Sequence, residues 1–115
     1  MRQRVNQEII YCATGGLDPS PTKPAIILLH GSGQSHLTWM LQTRYLAHSG
    51  YAVYAPDFPG HGLSEGEPLT SIESMADWVA DFMTACRIQS ACILGHSQGC
   101  LVALALAAGH RELCD

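Results

Sequence analysis

Residues 91–110 read ACILGHSQGCLVALALAAGH, and the middle of that stretch, Gly95-His96-Ser97-Gln98-Gly99, decides the fold. ACIL, at Ala91 to Leu94, reads as a third strand, and the helix that follows is apolar nearly all round from Leu101 to Ala108. A strand that turns abruptly into a helix places its middle residue on a tight bend, where the backbone is strained and the side chain stands clear of the sheet. Gly95 and Gly99 supply the hydrogen side chains that such a turn requires. Ser97 is therefore expected to present its hydroxyl at the carboxyl edge of a sheet, beside the positive end of the following helix, as an acyl-transfer nucleophile. The Gln98 N–H is the expected donor to an oxyanion formed there. The plainer alternative is an ordinary serine at a glycine-flanked helix entry, and the strand and helix on either side weigh against it. His96 is read as structural, because its side chain should point away from where a proton acceptor for Ser97 would stand.

Working outward, Ala25 to Leu29 (AIILL) is a second continuous apolar run, bounded by Pro24 and His30-Gly31-Ser32-Gly33, and suits a parallel strand covered on both faces. The stretch SHLTWMLQTRYLAHSG puts Leu37, Met40, Leu41, Tyr45 and Leu46 at helical spacing, and Gly50 is placed to stop that helix. Tyr51 to Ala55 (YAVYA) reads as the next strand, closing a βαβ unit. In TSIESMADWVADFMTACR, the residues Ile72, Met75, Ala76, Val79, Phe82, Met83 and Cys86 share a face, with Thr70 and Glu73 as a capping box. Nearer the start, VNQEIIYC reads as an early strand, and TGGLDPSPTKP as a loop, or a hairpin turn between antiparallel strands. The expectation is an α/β fold: a mostly parallel sheet with helices on both faces.

The loops after the strands carry the remaining candidates. In His30-Gly31-Ser32-Gly33 the Ser32 N–H is the expected second oxyanion donor, with Gly31 and Gly33 as alternatives. The Ser32 hydroxyl reads as a local loop cap, His30 as a support for loop backbone, and Trp39 as packing. The glycines do not make a phosphate site, since the P-loop spacing and its Lys are missing and no GxGxxG occurs. Asp57-Phe58-Pro59-Gly60-His61-Gly62 follows the YAVYA strand. Asp57 and His61 tempt one to complete a triad with Ser97, but a carboxylate at a strand exit is well placed to accept loop N–H groups, so Asp57, Gly60, His61 and Gly62 are read as structural. His30, His36, His61 and Asp57 match no metal-ligand spacing, so neither metal nor cofactor is expected.

The apolar fraction of 47% is rich for a small soluble body and hints at missing covering layers. Six Lys and Arg against ten Asp and Glu give a net charge of −4, with no basic stripe for nucleic acid. No apolar run approaches a membrane span and no signal-peptide pattern opens the chain, so a cytoplasmic location is expected. The five cysteines form no CxxC pair and read as small buried thiols, which disfavours redox or thiol chemistry.

The order HGSG, a Trp at 39, GYAVYAPDFPGHGLSEG and GHSQG resembles the amino-terminal half of the α/β-hydrolase family across essentially the whole chain. The stretch LAHSGYAVYAPDFPGHGLSEG is most similar to the group of monoacylglycerol lipases, lysophospholipases and carboxylesterases. The resemblance implies that Ser97 is the nucleophile, that the Ser32 and Gln98 N–H groups form the oxyanion hole, and that the acid and base come from later loops, beyond a lid. It disfavours epoxide hydrolases and haloalkane dehalogenases, whose elbow carries Asp. Thioesterases, carbon–carbon bond hydrolases, perhydrolases and acyltransferases remain open, as does a non-catalytic binding scaffold. Residues 1–115 then read as the amino-terminal portion of one domain, acting on a small-molecule ester or acyl substrate when complete. Alone, the chain is expected to turn over negligibly, and to self-associate or need a completing chain, because parallel-strand edges and an apolar helix are left uncovered.

Overall fold

A computed structural model describes all 115 residues, Met1–Asp115. Five strands form one sheet: β1 (Arg2–Val5), β2 (Glu8–Ala13), β3 (Ala25–Leu29), β4 (Ala52–Pro56) and β5 (Cys92–Gly95). Their order across the sheet is β1-β2-β4-β3-β5. β3 pairs in parallel with both β4 and β5, whereas β1–β2 and β2–β4 are antiparallel. The sheet is thus mixed, with a parallel centre on which an antiparallel hairpin has been laid. Three helices complete the fold: α1 (Met40–Ala47), α2 (Ile72–Ala85) and α3 (Gln98–Gly109).

Strand pleating sends alternate side chains to opposite faces, which divides the core in two. Ile27, Leu29, Ala52 and Tyr54 face α2 and α3, meeting Met75, Val79, Phe82, Val102 and Leu106 in the larger cluster. Ile26, Leu28, Val53 and Ala55 face the other way and pack with Ala47, Leu46 and Trp39 of the α1 side. Helices therefore lie on both faces, as read from the continuous apolar runs.

The details depart from the sequence reading in instructive places. The hairpin turn is at Asn6 and Gln7, both with positive φ (51° and 71°), while residues 14–24 connect β2 to β3, which are not neighbours. Primed turns suit the twist of paired strands, and Asn accepts that conformation more readily than most residues. The segment before α1 starts as a 3-10 turn, His36–Trp39, and of the apolar stripe assigned to this helix only Leu46 packs inward. Leu41 is 79% and Tyr45 72% exposed, with Leu37 and Met40 also exposed, while Thr43 and Ala47 make the buried contact. Small residues let α1 lie close to the sheet, and Thr43 satisfies its hydroxyl on the Met40 carbonyl (3.1 Å). α2 follows its predicted face, with Trp78 buried in addition. Its cap is shifted by one residue: the Ser71 hydroxyl accepts from Ser74 N–H, and the Ser74 hydroxyl accepts from Ser71 N–H. Thr70 and Glu73 do not form it. α3 buries only Gly99, Val102 and Leu106, leaving Leu101 and Leu104 exposed. Of the cysteines only Cys12 is buried; Cys92 and Cys100 are exposed, because β5 lies at the sheet edge and the outer side of α3 is uncovered. No helix is long and apolar enough to cross a membrane.

The shifted cap is directly testable. Ser71→Ala should lower unfolding stability by about 1 kcal/mol, and Thr70→Ala by less than about 0.5 kcal/mol. Urea unfolding of the two variants measures the difference, and equal losses would return the cap to Thr70.

Candidate active site

The parallel centre creates the site. The connection leaving β3 passes to α1 on one face, and the connection leaving β5 passes to α3 on the other, so a crevice opens between the adjacent carboxyl ends of β3 and β5. Open α/β sheets place their ligands in such a crevice. The HGSG loop and the elbow are the two segments that border it.

Ser97 sits at φ 57° and ψ −121°, a conformation rarely adopted by a residue with a side chain. Such a residue costs about 1–3 kcal/mol and persists only where its surroundings enforce it. Here they do. The His96 N–H donates to the Leu29 carbonyl (3.1 Å), which fastens the elbow to the end of β3. A Cβ on Gly99 would collide with that same carbonyl oxygen, and one on Gly95 with the Gly99 carbonyl. Hydrogen is therefore the only side chain that fits at either position. Ser97 is exposed, and its hydroxyl makes no capping bond to the helix that begins one residue later.

The candidate oxyanion donors lie along one groove of about 460 Å³, bordered by Ser32, Gly33, Gln34 and Gln98 and by Gly60, His61 and Gly62 of the second loop. Neither the Ser32 nor the Gln98 N–H donates to any turn, loop or cap acceptor. The Gly31 N–H, by contrast, is occupied by Gln34 Oε1 (2.9 Å). A larger hollow of about 590 Å³, bordered by Pro24, Ala25, Ala52 and Ile88, lies at the opposite edge of the sheet and contains none of these residues.

Asp57 is fully buried and does not approach Ser97 as a partner. It accepts from the His36 N–H (2.6 Å), from His36 Nδ1–H (2.9 Å to Oδ2) and from the Leu63 N–H (3.0 Å), so one carboxylate ties the first loop to the second. Gly62, at φ 51°, lies so close that a Cβ would run into that carboxylate. His61 donates from Nδ1 to the Pro59 carbonyl (3.0 Å), not to Asp57. His30 accepts the Phe58 N–H at Nε2 (3.1 Å), and its Nδ1–H donates to the Gly31 carbonyl (2.7 Å). Both ring nitrogens are thereby used in the neutral form, and burial lowers the His30 pKa from its ordinary 6.5. His96 donates from Nδ1 to Gln34 Oε1 (3.2 Å), with Trp39 set edge-on to its ring.

The structure thus sets Ser32 and Gln98 along one groove, with Ser97 next to Gln98 and its Cβ beside Gly31, and gives His30, Asp57, His61 and His96 loop partners. Two contributors were not picked out from sequence. His36 is the side-chain partner of Asp57, and Gln34 links Gly31 to His96; both are ordinary polar residues in a polar loop, with no spacing that marks them. No three His, Cys, Asp or Glu side chains gather as a metal site. Burial raises the pKa of Cys12 and lifts that of Cys86 to about 11, so neither is poised as a thiolate.

A strained serine stands between a parallel strand and a helix, beside a glycine-rich loop. A family model described as the alpha/beta hydrolase fold matches residues 24–115, and the chain belongs to that family. It is 35% identical over 95 residues to the AB hydrolase superfamily protein YfhM of Bacillus subtilis, covering 80% of this chain and 33% of that one. It is 31% identical over 94 residues to an epoxide hydrolase of Caballeronia sordidicola, covering 76% and 29% respectively. Among solved structures, a bacterial membrane phospholipase A superposes with a TM-score of 0.89 at 28% identity, covering 99% of this chain and 36% of that one. The chain spans about a third of the length of these relatives.

Two outcomes follow. Ala for Gly at an interior helical position ordinarily adds up to about 1 kcal/mol. Gly99→Ala should instead lose about 1–3 kcal/mol, because its Cβ meets a backbone carbonyl that cannot yield; a stabilised variant in denaturant melts would contradict the packing. His30 has a folded-state pKa below its unfolded one, so the unfolded chain binds the proton first. Stability should be complete above pH about 6.5 and decline as pH falls through that value towards the lower folded pKa. Unfolding free energies between pH about 8 and 5 should show this decline in the parent protein and a flatter profile in His30→Gln.

Proposed function

We propose that this chain supplies the nucleophile and the oxyanion donors of a serine hydrolase that cleaves carboxylic esters through an acyl-enzyme on Ser97. The observation that carries the reading is the Ser97 backbone at φ 57° and ψ −121°. A binding scaffold would gain stability by relaxing that bend, whereas a nucleophile gains exposure from it.

In the proposed reaction a base removes the Ser97 proton as Oγ attacks the ester carbonyl carbon, and the carbonyl π electrons move onto oxygen. The Ser32 and Gln98 N–H groups stabilise this oxyanion, each donor contributing about 10²–10³-fold in rate. The tetrahedral intermediate collapses with loss of the alcohol, which takes its proton from the same base. Water then adds to the acyl-enzyme by the same route and releases the acid.

The base and its orienting acid lie outside residues 1–115 in this reading, which treats the chain as the amino-terminal portion of the domain. In support, His30, His36, His61, His96 and His110 each bond to a partner other than Ser97. His48 caps the end of α1 that leads into β4, at the opposite edge of the sheet. The serine at the elbow supports acyl rather than alkyl chemistry, despite the epoxide hydrolase among the relatives. An acyltransferase would share the first half-reaction and differ only in accepting an alcohol in place of water.

A fluorophosphonate, which phosphonylates an activated serine, tests the reading on the complete protein. The parent should be labelled stoichiometrically at Ser97. Ser97→Ala should take no label and lose at least about 10³-fold in hydrolysis of a short-chain ester; undiminished turnover in that variant would refute the assignment.

A further inference from the structure

Gln34 hydrogen-bonds to both halves of the crevice. Its Oε1 accepts the Gly31 N–H (2.9 Å) from the HGSG loop and His96 Nδ1–H (3.2 Å) from the elbow, while its own N–H donates to the Gly31 carbonyl (3.1 Å). An amide oxygen only accepts, so both hydrogens belong to its partners and the His96 tautomer is set. Gly31 packs directly on the nucleophile: a Cβ there would stand 3.1 Å from the Ser97 Cβ and 2.7 Å from Gln34 Oε1. Trp39 sits edge-on to the His96 ring, with centroids 6.3 Å apart.

We propose that Gln34 is a positioning residue for the reaction assigned to Ser97, holding the Ser32 and Gln98 amides in fixed relation by joining Gly31 to His96. The inference rests on that assignment. The HGSG loop has two glycines and therefore little stiffness of its own. Occupying the Gly31 N–H removes a competing donor beside Ser97 and leaves the Ser32 and Gly33 N–H groups without acceptors in the chain, of which Ser32 is assigned to the oxyanion. The elbow is already fixed to β3 through Leu29, so the bond to His96 refers the loop to that fixed point. A displacement of about 1 Å at such a site can cost about 10²-fold in rate.

The test uses the complete protein and separates the acceptor from the volume. Gln34→Met keeps the size and removes the oxygen; Gln34→Glu keeps the oxygen. Gln34→Met should lower kcat for p-nitrophenyl acetate, and the rate of Ser97 phosphonylation, by about tenfold or more, with KM within about twofold, as expected when a transition-state contact is lost. Gln34→Glu should recover most of the loss. His96→Ala added to Gln34→Met should slow the protein no further, since both act through one link. Imidazole nitrogen shifts should report Nδ1–H on His96 in the parent and a mixed tautomer in Gln34→Met. An undiminished kcat in Gln34→Met, or a Glu variant as slow as the Met variant, would overturn the assignment. A parent protein that takes no phosphonate at Ser97 would overturn the nucleophile first and this inference with it, which distinguishes the two failures.

Discussion

The approach of α3 to the carboxyl end of β3 is the contact on which the site depends. Gly99 lies against the Leu29 carbonyl, and the His96 N–H donates to that same oxygen. A helix can start this close to a neighbouring strand only if its first turn carries no side chain at the contact. Gly99 satisfies that steric demand, Gly95 leaves room for the Gly99 carbonyl, and the hydrogen bond fixes the distance. Once both ends of the five-residue turn are held, the residue between them has little backbone freedom left, and the positive φ of Ser97 follows from its neighbours rather than from its own preference.

Two polar links then extend this rigidity to loops that would otherwise be soft. Asp57 takes a buried carboxylate into the base of the second loop and offsets its desolvation with donors from His36 and Leu63. Burying a carboxylate costs heavily unless it is hydrogen-bonded, so these donors are as much a requirement of Asp57 as a benefit to the loops. Gln34 performs the corresponding task on the other side with a neutral acceptor, in a setting where its exposed neighbours remain hydrated. His30 closes the set, joining Gly31 to Phe58 through its two ring nitrogens.

The parts legible in the sequence were those governed by local rules. AIILL reads as a doubly covered strand because nothing polar interrupts it, and GHSQG reads as an elbow because glycine spacing, strand and helix coincide. What was not legible depended on partners distant in sequence. The apolar stripe of α1 predicts the wrong face for all but Leu46, since Thr43 and Ala47 are chosen for close approach to the sheet and Leu37, Met40, Leu41 and Tyr45 are left outside. The α2 cap moved by one residue because Ser71 and Ser74 satisfy each other as well as a Thr–Glu pair would. His36 and Gln34 are unremarkable in composition; only the folded loops reveal that Asp57 lies 21 residues from its imidazole partner and that His96 lies 62 residues from its amide.

Under the proposed reading, the fold separates two demands of acyl transfer. Strain at the nucleophile and orientation of the oxyanion donors are generated by β3, β5, α3 and two loops, all in contact with one another within these 115 residues. Proton transfer makes no comparable demand on this region, and its histidines are committed to loop geometry instead. This division has a physical rationale. Donors must be fixed to a fraction of an ångström before charge develops, so they belong on the stiffest part of the sheet. A base must hold, pass and recover a proton, and its surroundings can vary without disturbing the bend that exposes Ser97. Proton chemistry can therefore be supplied from elsewhere, whereas the packing of Gly99 on the Leu29 carbonyl leaves no latitude for a side chain.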